Sequence, residues 1–155
     1  MPANKTPKLS ATALPATGDR SLKLSNFKGK PVVVYFYPRD NTPGCTRQGQ
    51  DFRDHYADFQ AHDCEIIGIS RDTVASHEKF ATKQDFPFPL MADTDEKLCT
   101  EFDVIKEKNM YGKKVMGIER STFLFDKSGK LVREWRKVRV PGHVEEVLEA
   151  VRELD

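Results

Sequence analysis

The sequence has no long hydrophobic run and no excess of charge of one sign. Its longest uninterrupted apolar stretch, about residues 32–37, is far shorter than the roughly 20 residues that a membrane helix needs. The start of the chain, MPANKTPKLS, is polar and lacks the apolar segment of a signal peptide. Lys and Arg number 25 against 24 Asp and Glu, so the net charge of +1 offers no field for a phosphate backbone. We therefore expect a cytoplasmic protein that binds neither membranes nor nucleic acid.

Cysteine is also scarce. The chain has 3 cysteines in 155 residues, Cys45, Cys64 and Cys99, and this small odd number excludes a disulfide scaffold. At least one thiol should be free, in a reducing compartment. Proline and glycine, 9 of each, are scattered and do not gather into a linker, and no internal repeat is present. We expect one domain over residues 1–155, with residues 1–8 loosely ordered.

Two buried strands with a helix between them are predicted in the first half of the chain. Residues 31–37 form a continuous run of β-branched and aromatic side chains, and residues 65–69 form a second apolar run. Between them, Phe52, Tyr56 and Phe59 recur at helical spacing. A strand, helix and strand in this order form a βαβ unit, whose two strands are parallel.

Further elements are predicted on both sides of this unit. They are a hairpin around residues 17–20, helices over 73–84 and 94–102, antiparallel strands over 120–125 and 131–135, and a helix after Gly142. A parallel half, an antiparallel hairpin and a last helix follow one another in the thioredoxin fold. We predict an α/β protein of thioredoxin-like fold, with an N-terminal β-hairpin extension and a central mixed sheet flanked by helices.

The chemistry is predicted at the carboxyl end of the first buried strand, where open α/β sheets place their sites. Thr42 suits an N-cap and Pro43 the first helical position, so Cys45 falls in the first turn of a helix. The helix dipole and the nearby Arg39 and Arg47 favour a thiolate at this position. The pattern indicates a nucleophilic cysteine.

Other roles for the cysteines remain open at this stage. Cys45 lies seven residues before Phe52, so helical spacing also permits a place in the core. Cys64 lies at a strand entry, where a buried and inert thiol is expected. Cys99 borders the apolar face of a short predicted helix. A disulfide reductase is disfavoured, because Gln48 stands where a C-x-x-C motif needs its second sulfur.

The histidines do not predict a metal site. His55 and His62 lie close to Cys64, but no paired C-x-x-C or H-x-x-x-H spacing completes a set of ligands. We expect His55 and His77 to be solvated on helix surfaces and His143 to belong to a local turn.

Several separated blocks resemble a known family. Pro38, Thr42 and Cys45 form P-x-x-x-T-x-x-C after a strand, and this is similar to the active-site signature of the peroxiredoxins. The stretch over 35–46 more narrowly resembles the bacterioferritin comigratory protein, or peroxiredoxin Q, branch. Further similar blocks lie at residues 52–54, 67–72, 76–80, 86–90, 120–123 and 135–138. The resemblance covers about residues 28–154.

The resemblance implies a thiol peroxidase that reduces hydrogen peroxide or organic hydroperoxides and needs no cofactor. Cys45 corresponds to the peroxidatic cysteine, which becomes a sulfenic acid. Thr42 corresponds to the threonine whose hydroxyl binds peroxide and thiolate, and Pro38 to the proline that shields the sulfur. Arg120 corresponds to the arginine that stabilises negative charge, and Gln48 to the residue that orients this arginine.

The chain departs from the family pattern at the resolving cysteine. Gln50 and Ala81 occupy the two positions where relatives carry one. We expect a one-cysteine cycle in a monomer, in which thioredoxin or another external thiol reduces the sulfenic acid at Cys45. A disulfide between Cys45 and Cys99 is the second possibility. The alternative from another class is a noncatalytic redox sensor or binding module with the thioredoxin fold.

Overall fold

The computed structural model describes residues 6–154; residues 1–5, from the segment expected to be loosely ordered, and residue 155 lie outside the described residues. The strands are β1 (Leu14–Ala16), β2 (Arg20–Leu22), β3 (Val32–Phe36), β4 (Glu65–Ser70), β5 (Leu90–Ala92), β6 (Ile105–Met110), β7 (Lys113–Ile118), β8 (Ser121–Phe125) and β9 (Leu131–Trp135). The helices are α1 (Pro43–Asp54), α2 (Tyr56–Gln60), α3 (Val74–Gln84), α4 (Lys97–Glu101) and α5 (His143–Arg152), with a short 3-10 helix at Leu24–Phe27.

A 7-stranded mixed sheet, in the order β2-β1-β5-β4-β3-β8-β9, forms the centre of the molecule. Strands β3, β4 and β5 are parallel, while β8 and β9 are antiparallel additions on one side and the β1–β2 hairpin is added on the other. Every residue of β3 is buried, as its uninterrupted apolar sequence predicts. The thioredoxin-like mixed sheet with its N-terminal hairpin is confirmed.

The sheet separates two hydrophobic cores, because successive side chains of a strand point to opposite faces. On one side, which we call the α1 face, Val33, Tyr35, Ile66 and Leu124 pack with side chains of α1, α2, α3 and α5. On the other side, which we call the α4 face, Val34, Phe36, Ile69 and Phe123 pack with side chains of α4 and of the N-terminal segment. Cys45 and Cys64 belong to the α1 face and Cys99 to the α4 face.

Two of the predicted helices end differently from the expectation. The helix predicted over 94–102 shortens to α4, because the buried carboxylate of Asp93 accepts hydrogen bonds from the N–H groups of Lys97 and Cys99 at 2.9 and 2.7 Å. The preceding Glu96 has a left-handed backbone, so regular helix begins only after it. The helix that contains Phe52 and Phe59 is interrupted at His55, which separates α1 from α2.

Strand β5 and the antiparallel ribbon of β6 and β7 were not predicted. The ribbon turns at Tyr111 and Gly112, both with positive φ, which is the geometry of a tight hairpin turn. In β7, Lys113, Lys114, Val115 and Met116 are exposed one after another and the next two residues are buried, so no alternation of apolar and polar residues indicates a strand. None of the helices in the described part of the chain has the length and apolar character to cross a membrane.

One edge of the sheet collects the chain segments that carry polar side chains. The carboxyl ends of β3, β4 and β5 meet there, because these strands are parallel. Strand β8 is antiparallel to β3, with Ser121 opposite Phe36, so the beginning of β8 lies at the same edge. Pairing therefore brings Arg120 beside the loop that follows β3.

The close packing of the central strands generates a test. A Cβ atom on Gly68 in β4 would lie 2.7 Å from Leu90 Cδ2 and 2.9 Å from the Tyr35 ring. We expect Gly68→Ala to lower the free energy of unfolding by about 1–3 kcal/mol, because both neighbours are buried in the packed core and must shift to admit the methyl group. Gly117→Ala is the matched control, since its nearest contact would be 3.5 Å, and should change stability by less than about 0.5 kcal/mol. Denaturant unfolding of both variants measures the difference, and equal stabilities would contradict this packing.

Candidate active site

The start of α1 has the geometry that the sequence predicts, with one exception. Pro43 is the first residue of the helix, so Cys45 lies in its first turn. Thr42 occupies the N-cap position, but its hydroxyl does not cap the helix. The hydroxyl donates instead to the carbonyl oxygen of Arg39 at 2.9 Å, so the expected side-chain cap is wrong. The oxygen of Thr42 keeps its lone pairs as acceptors.

The guanidinium of Arg120 contacts the sulfur of Cys45. Its Nη2 lies 3.4 Å from Cys45 Sγ, and its Nη1 donates to Gln48 Oε1 at 2.6 Å. Cys45 is only 2% exposed, so this contact is shielded from bulk water. A Cβ atom on Gly44 would lie 3.0 Å from the same Nη2, so the glycine before Cys45 leaves room for the guanidinium. Arg120, which is distant in the sequence, thus contacts both Cys45 and Gln48 on the first turns of α1.

Gln48 is fully buried and has one orientation that fits Arg120. A guanidinium carries donors and no acceptor, so the amide must turn its oxygen toward it. This leaves Gln48 Nε2 without a hydrogen-bond partner among the described residues. Within residues 6–154, no carboxylate forms an ion pair with Arg120. Gln48 therefore orients the guanidinium without neutralising its charge.

The positive neighbours expected from the local sequence do not contact the sulfur. Arg39 is exposed, and the exposed Arg47 pairs with Asp51 at 3.2 Å one turn further along α1. Pro38 is half-buried at the start of the loop, where it lines a cleft of about 390 Å³ with Arg39, Arg71, Asp72, Thr94 and Glu96. The charge beside Cys45 comes from Arg120, which no local pattern around the cysteine identifies.

The two other cysteines are fully buried and held as thiols. Burial raises the pKa of Cys64 to about 12. Burial also raises the pKa of Cys99 well above its usual range, and a hydrogen bond with Asp93 adds to this shift. Cys99 is separated from Cys45 by the sheet, since the two belong to opposite faces. Cys64 shares the face of Cys45 but precedes β4, at the opposite end of the parallel strands.

Lys108, on the ribbon strand β6, is a second cation of this region that the sequence did not reveal. Its pKa is lowered, first by partial burial and then by the positive charge of Arg120, while Cys45 acts in the opposite direction. Its ammonium donates to the carbonyl of Ile118. No local pattern indicates a role for Lys108, because β6 itself was not predicted.

Two histidines are buried where solvated or local positions were expected. His77 is fully buried on α3, with Nδ1 2.7 Å from Asp40 Oδ2 and Nε2 2.9 Å from the carbonyl of Met91. His143 begins α5 and lies 2.8 Å from the hydroxyl of Thr122, and burial lowers its pKa to about 4. The expectation of a solvated His77 is wrong, because both of its ring nitrogens have partners inside the protein. His143 does close a turn through its backbone N–H to Val140, but its buried side chain bonds to β8. His55 is half-buried near acidic side chains.

One group of metal-ligating side chains is compact. The ligand atoms of Asp40, Asp72 and His77 all lie within 4.8 Å of one another. Hydrogen bonds already join these groups: Asp40 binds His77 directly, and Asp72 accepts from the backbone N–H of Asp40 at 2.9 Å. The group is therefore a hydrogen-bond network. It shares no residue with the sequence cluster of His55, His62 and Cys64.

Comparison with known proteins shows which family this chain is similar to. Residues 2–134 match the AhpC/TSA family. The chain is 52% identical over 139 residues to peroxiredoxin Bcp of Xanthomonas campestris, covering 90% of this chain and 87% of that protein. It is 51% identical over 134 residues to peroxiredoxin Bcp of Bacillus subtilis, covering 86% and 85%. The solved bacterioferritin comigratory protein of X. campestris superposes with a TM-score of 0.89 at 49% identity, covering 94% of this chain and 92% of that one.

The chain therefore belongs to the AhpC/TSA family, a class of thiol-dependent peroxidases on a thioredoxin-like sheet. Its relatives are peroxiredoxins of the Bcp type, also called peroxiredoxin Q, and the resemblance seen in the sequence is confirmed. Thiol peroxidase function is confirmed with it. The alternative of a noncatalytic sensor or binding module is set aside.

The different environments of the three thiols predict selective alkylation. We expect iodoacetamide at about pH 8 to label Cys45 in the folded protein, because a thiolate is the reacting species and burial keeps the other two cysteines protonated. Peptide mass mapping should find the label on Cys45 alone. In guanidinium, all three cysteines should react at similar rates. Labelling of Cys64 or Cys99 as fast as Cys45 in the folded protein would contradict the described environments.

Proposed function

We propose that Cys45 is the peroxidatic cysteine of this thiol peroxidase. The observation that carries the proposal is the contact of Arg120 Nη2 with Cys45 Sγ at 3.4 Å, with Nη1 of the same guanidinium held by Gln48. Among residues 6–154, the contact of a lysine or arginine side chain with a cysteine sulfur is the one between Arg120 and Cys45. Burial and a high pKa make Cys64 and Cys99 poor nucleophiles.

The reaction at Cys45 is a two-electron displacement on the O–O bond of a hydroperoxide. The thiolate sulfur attacks the terminal oxygen, the S–O bond forms as the O–O bond breaks, and the electron pair of that bond leaves on the other oxygen. That oxygen then takes a proton and departs as an alcohol, or as water from hydrogen peroxide. Sulfur is oxidised to a sulfenic acid and the peroxide is reduced. Both electrons come from sulfur, so the step requires no cofactor.

Arg120 supplies fixed donors where negative charge moves. Charge shifts from sulfur to the departing oxygen, and preorganised donors at such a position lower the barrier by several kcal/mol in comparable oxyanion sites. The guanidinium already contacts the sulfur, and its planar arrangement of N–H groups gives it donors for both atoms. Gln48 fixes the plane of the guanidinium, which keeps those donors aligned.

Thr42 and Pro38 complete the proposed site from the loop before α1. The Thr42 hydroxyl donates its hydrogen bond to the carbonyl oxygen of Arg39. The hydroxyl oxygen is therefore free to accept a hydrogen bond from the O–H of a hydroperoxide. Such a bond orients the O–O axis toward the sulfur. Pro38 is half-buried at the start of the same loop and shields this side of the site from water.

We propose hydrogen peroxide and organic hydroperoxides as the substrate class. The chemistry needs an O–O–H group, which both kinds of peroxide present to a sulfur and an acceptor oxygen. Structures of the X. campestris bacterioferritin comigratory protein were solved as a trapped intermediate and ligand complexes that bear on its alkyl peroxide reduction activity. A ranking of hydroperoxides by second-order rate constant would test how far this chain shares that activity.

The sulfenic acid at Cys45 is proposed to be reduced by an external thiol. Cys99 lies across the sheet, and Gln50 and Ala81 hold no sulfur at the positions where relatives carry a second cysteine. An incoming thiol attacks the sulfenic sulfur, releases water and leaves a mixed disulfide, and a second thiol then releases the cysteine. An external thiol needs access to one sulfur, whereas a Cys45–Cys99 disulfide requires the core on both faces to open.

We further propose that the protein acts as a monomer in the cytoplasm, with thioredoxin or another thiol as the source of electrons. All three cysteines are free thiols, the state that a reducing compartment maintains. Among the described residues, the large exposed apolar side chains are Tyr111, Val115, Met116 and Val132. This small set does not form the extensive apolar surface of an obligate dimer.

Peroxide turnover distinguishes the role of Cys45 from that of Cys64, the other cysteine in the core of the α1 face. We expect Cys45→Ser to abolish the consumption of peroxide in the presence of a thiol reductant, because the nucleophile is removed. Cys64→Ser is the matched control, since it makes the same change at a buried position, and it should keep most of the activity. The assay follows peroxide loss over many turnovers per chain. A Cys45→Ser protein that consumes peroxide near the parent rate would contradict the assignment.

Stoichiometric oxidation tests how Cys45 is resolved. One equivalent of peroxide should leave a sulfenic acid that dimedone traps, so intact mass should show one adduct on Cys45 and two unmodified thiols. Cys99→Ser should give the same trapping and the same steady-state turnover. Rapid loss of two hydrogens with a Cys45–Cys99 cross-linked peptide, in place of the adduct, would establish an intramolecular disulfide instead.

A further inference from the structure

A buried carboxylate holds the loop between β3 and α1. Asp40 Oδ1 accepts a hydrogen bond from the Tyr37 hydroxyl at 2.6 Å. Asp40 Oδ2 accepts from Ser76 Oγ at 2.8 Å and lies 2.7 Å from His77 Nδ1. The backbone N–H of Asp40 donates to Asp72 at 2.9 Å. Asp40 thus ties the loop to the end of β3, to the turn after β4 and to the first turns of α3.

His77 contributes a buried ring with two hydrogen-bonding nitrogen atoms to this network. Its Nε2 faces the carbonyl of Met91 at 2.9 Å, and a carbonyl only accepts, so Nε2 carries a hydrogen. Its Nδ1 lies 2.7 Å from Asp40 Oδ2, so a short hydrogen bond joins the ring to this side chain. Both side chains are almost completely buried, at 0% and 3% exposure. A hydrogen bond is electrostatically stronger in such a buried environment than in water, so it holds the side chain of Asp40 in place.

The loop that Asp40 holds carries the proposed peroxide acceptor. Asn41, the next residue, has a left-handed backbone with φ of 60°, so the chain turns sharply between Asp40 and Thr42. Thr42 follows directly, and its hydroxyl is bonded to the carbonyl of Arg39 on the other side of Asp40. Displacement of Asp40 would therefore move both the Thr42 backbone and the acceptor that orients its hydroxyl.

We propose that Asp40, held by His77 and Tyr37, is a positioning residue that sets the place of the Thr42 hydroxyl for peroxide attack. The inference rests on the proposed function, in which Thr42 orients the peroxide at Cys45. Asp40 does not contact the sulfur in this structure, whereas Arg120 does. Loss of Asp40 should affect the orientation of the peroxide and leave the Arg120 contact in place.

A double-mutant cycle tests whether Asp40 acts through Thr42. We expect Asp40→Ala to slow oxidation of Cys45 by hydrogen peroxide about 10- to 100-fold, the scale of misplacing a reacting group by about 1 Å. In the Thr42→Val background, which has no hydroxyl to position, the same change should slow oxidation by less than about threefold. Rapid quenching and intact mass, with the oxidised sulfur located by peptide mapping, give each rate. Effects that simply multiply would overturn the proposal.

A second reagent separates positioning from general damage to the fold. Alkylation of Cys45 by iodoacetamide requires the thiolate but no hydrogen bond from a peroxide. Asp40→Ala should change that rate by less than about threefold, while the peroxide rate falls by the larger factor. Equal losses with both reagents would overturn the proposal. Failure of the proposed function itself would appear separately, as peroxide oxidation at a sulfur other than Cys45.

Conservative variants and a control complete the design. Asp40→Asn preserves the shape and an acceptor for Tyr37, and it should restore the peroxide rate to within about threefold of the parent. Asp126→Ala is the control, because Asp126 also accepts three hydrogen bonds in a loop, at the opposite end of the sheet, and it should leave the rate unchanged. If Asp40→Ala does not fold, Tyr37→Phe takes its place in the cycle, since it removes one hydrogen bond to Asp40. A slowing by Tyr37→Phe that persists in the Thr42→Val background would overturn the proposal.

Discussion

The guanidinium of Arg120 joins the start of β8 to the first turns of α1, and the arrangement of the site depends on this link. The antiparallel register of β3 and β8 brings Arg120 to the carboxyl edge of the parallel strands. Gly44 leaves space for the approach, and the buried amide of Gln48 orients the N–H groups toward Cys45. Because Gln48 is neutral, the positive charge stays available to the sulfur and to the oxygen that leaves it.

The second constraint is the sheet itself, which separates the thiols. Cys45 and Cys99 belong to cores on opposite faces, so a bond between them would require packing on both sides to be lost. Cys99 is also held by the carboxylate of Asp93, which fixes the start of α4. The fold therefore leaves one reactive sulfur at the functional edge, and the electrons that restore it are proposed to come from another molecule.

Local patterns predicted the elements of this fold better than its contacts. Apolar runs in the sequence predicted strands β3 and β4. Pro43 predicted the start of α1, and this start placed Cys45 in the first turn of the helix. The sequence could not show that Arg39 and Arg47 point away from the sulfur or that His77 is buried, because both depend on tertiary packing. Lys108 was missed with the ribbon, whose lysine-rich strands lack an alternating pattern. The family resemblance, and not a local pattern, indicated Arg120 and Gln48. The register of β3 and β8 explains why these two side chains meet.

The most direct test compares two arginines near Cys45, one that contacts the sulfur and one that does not. The measurement is the second-order rate constant for oxidation of Cys45 by hydrogen peroxide, in a single turnover, for Arg120→Ala and Arg47→Ala. Loss of one oxyanion donor slows comparable enzymes about 100-fold or more, so Arg120→Ala should fall by that order. Arg47 is exposed and paired with Asp51 on the same helix, so Arg47→Ala should lower this rate constant by less than about threefold. An Arg120→Ala protein oxidised at the parent rate, or equal losses in both variants, would contradict the account.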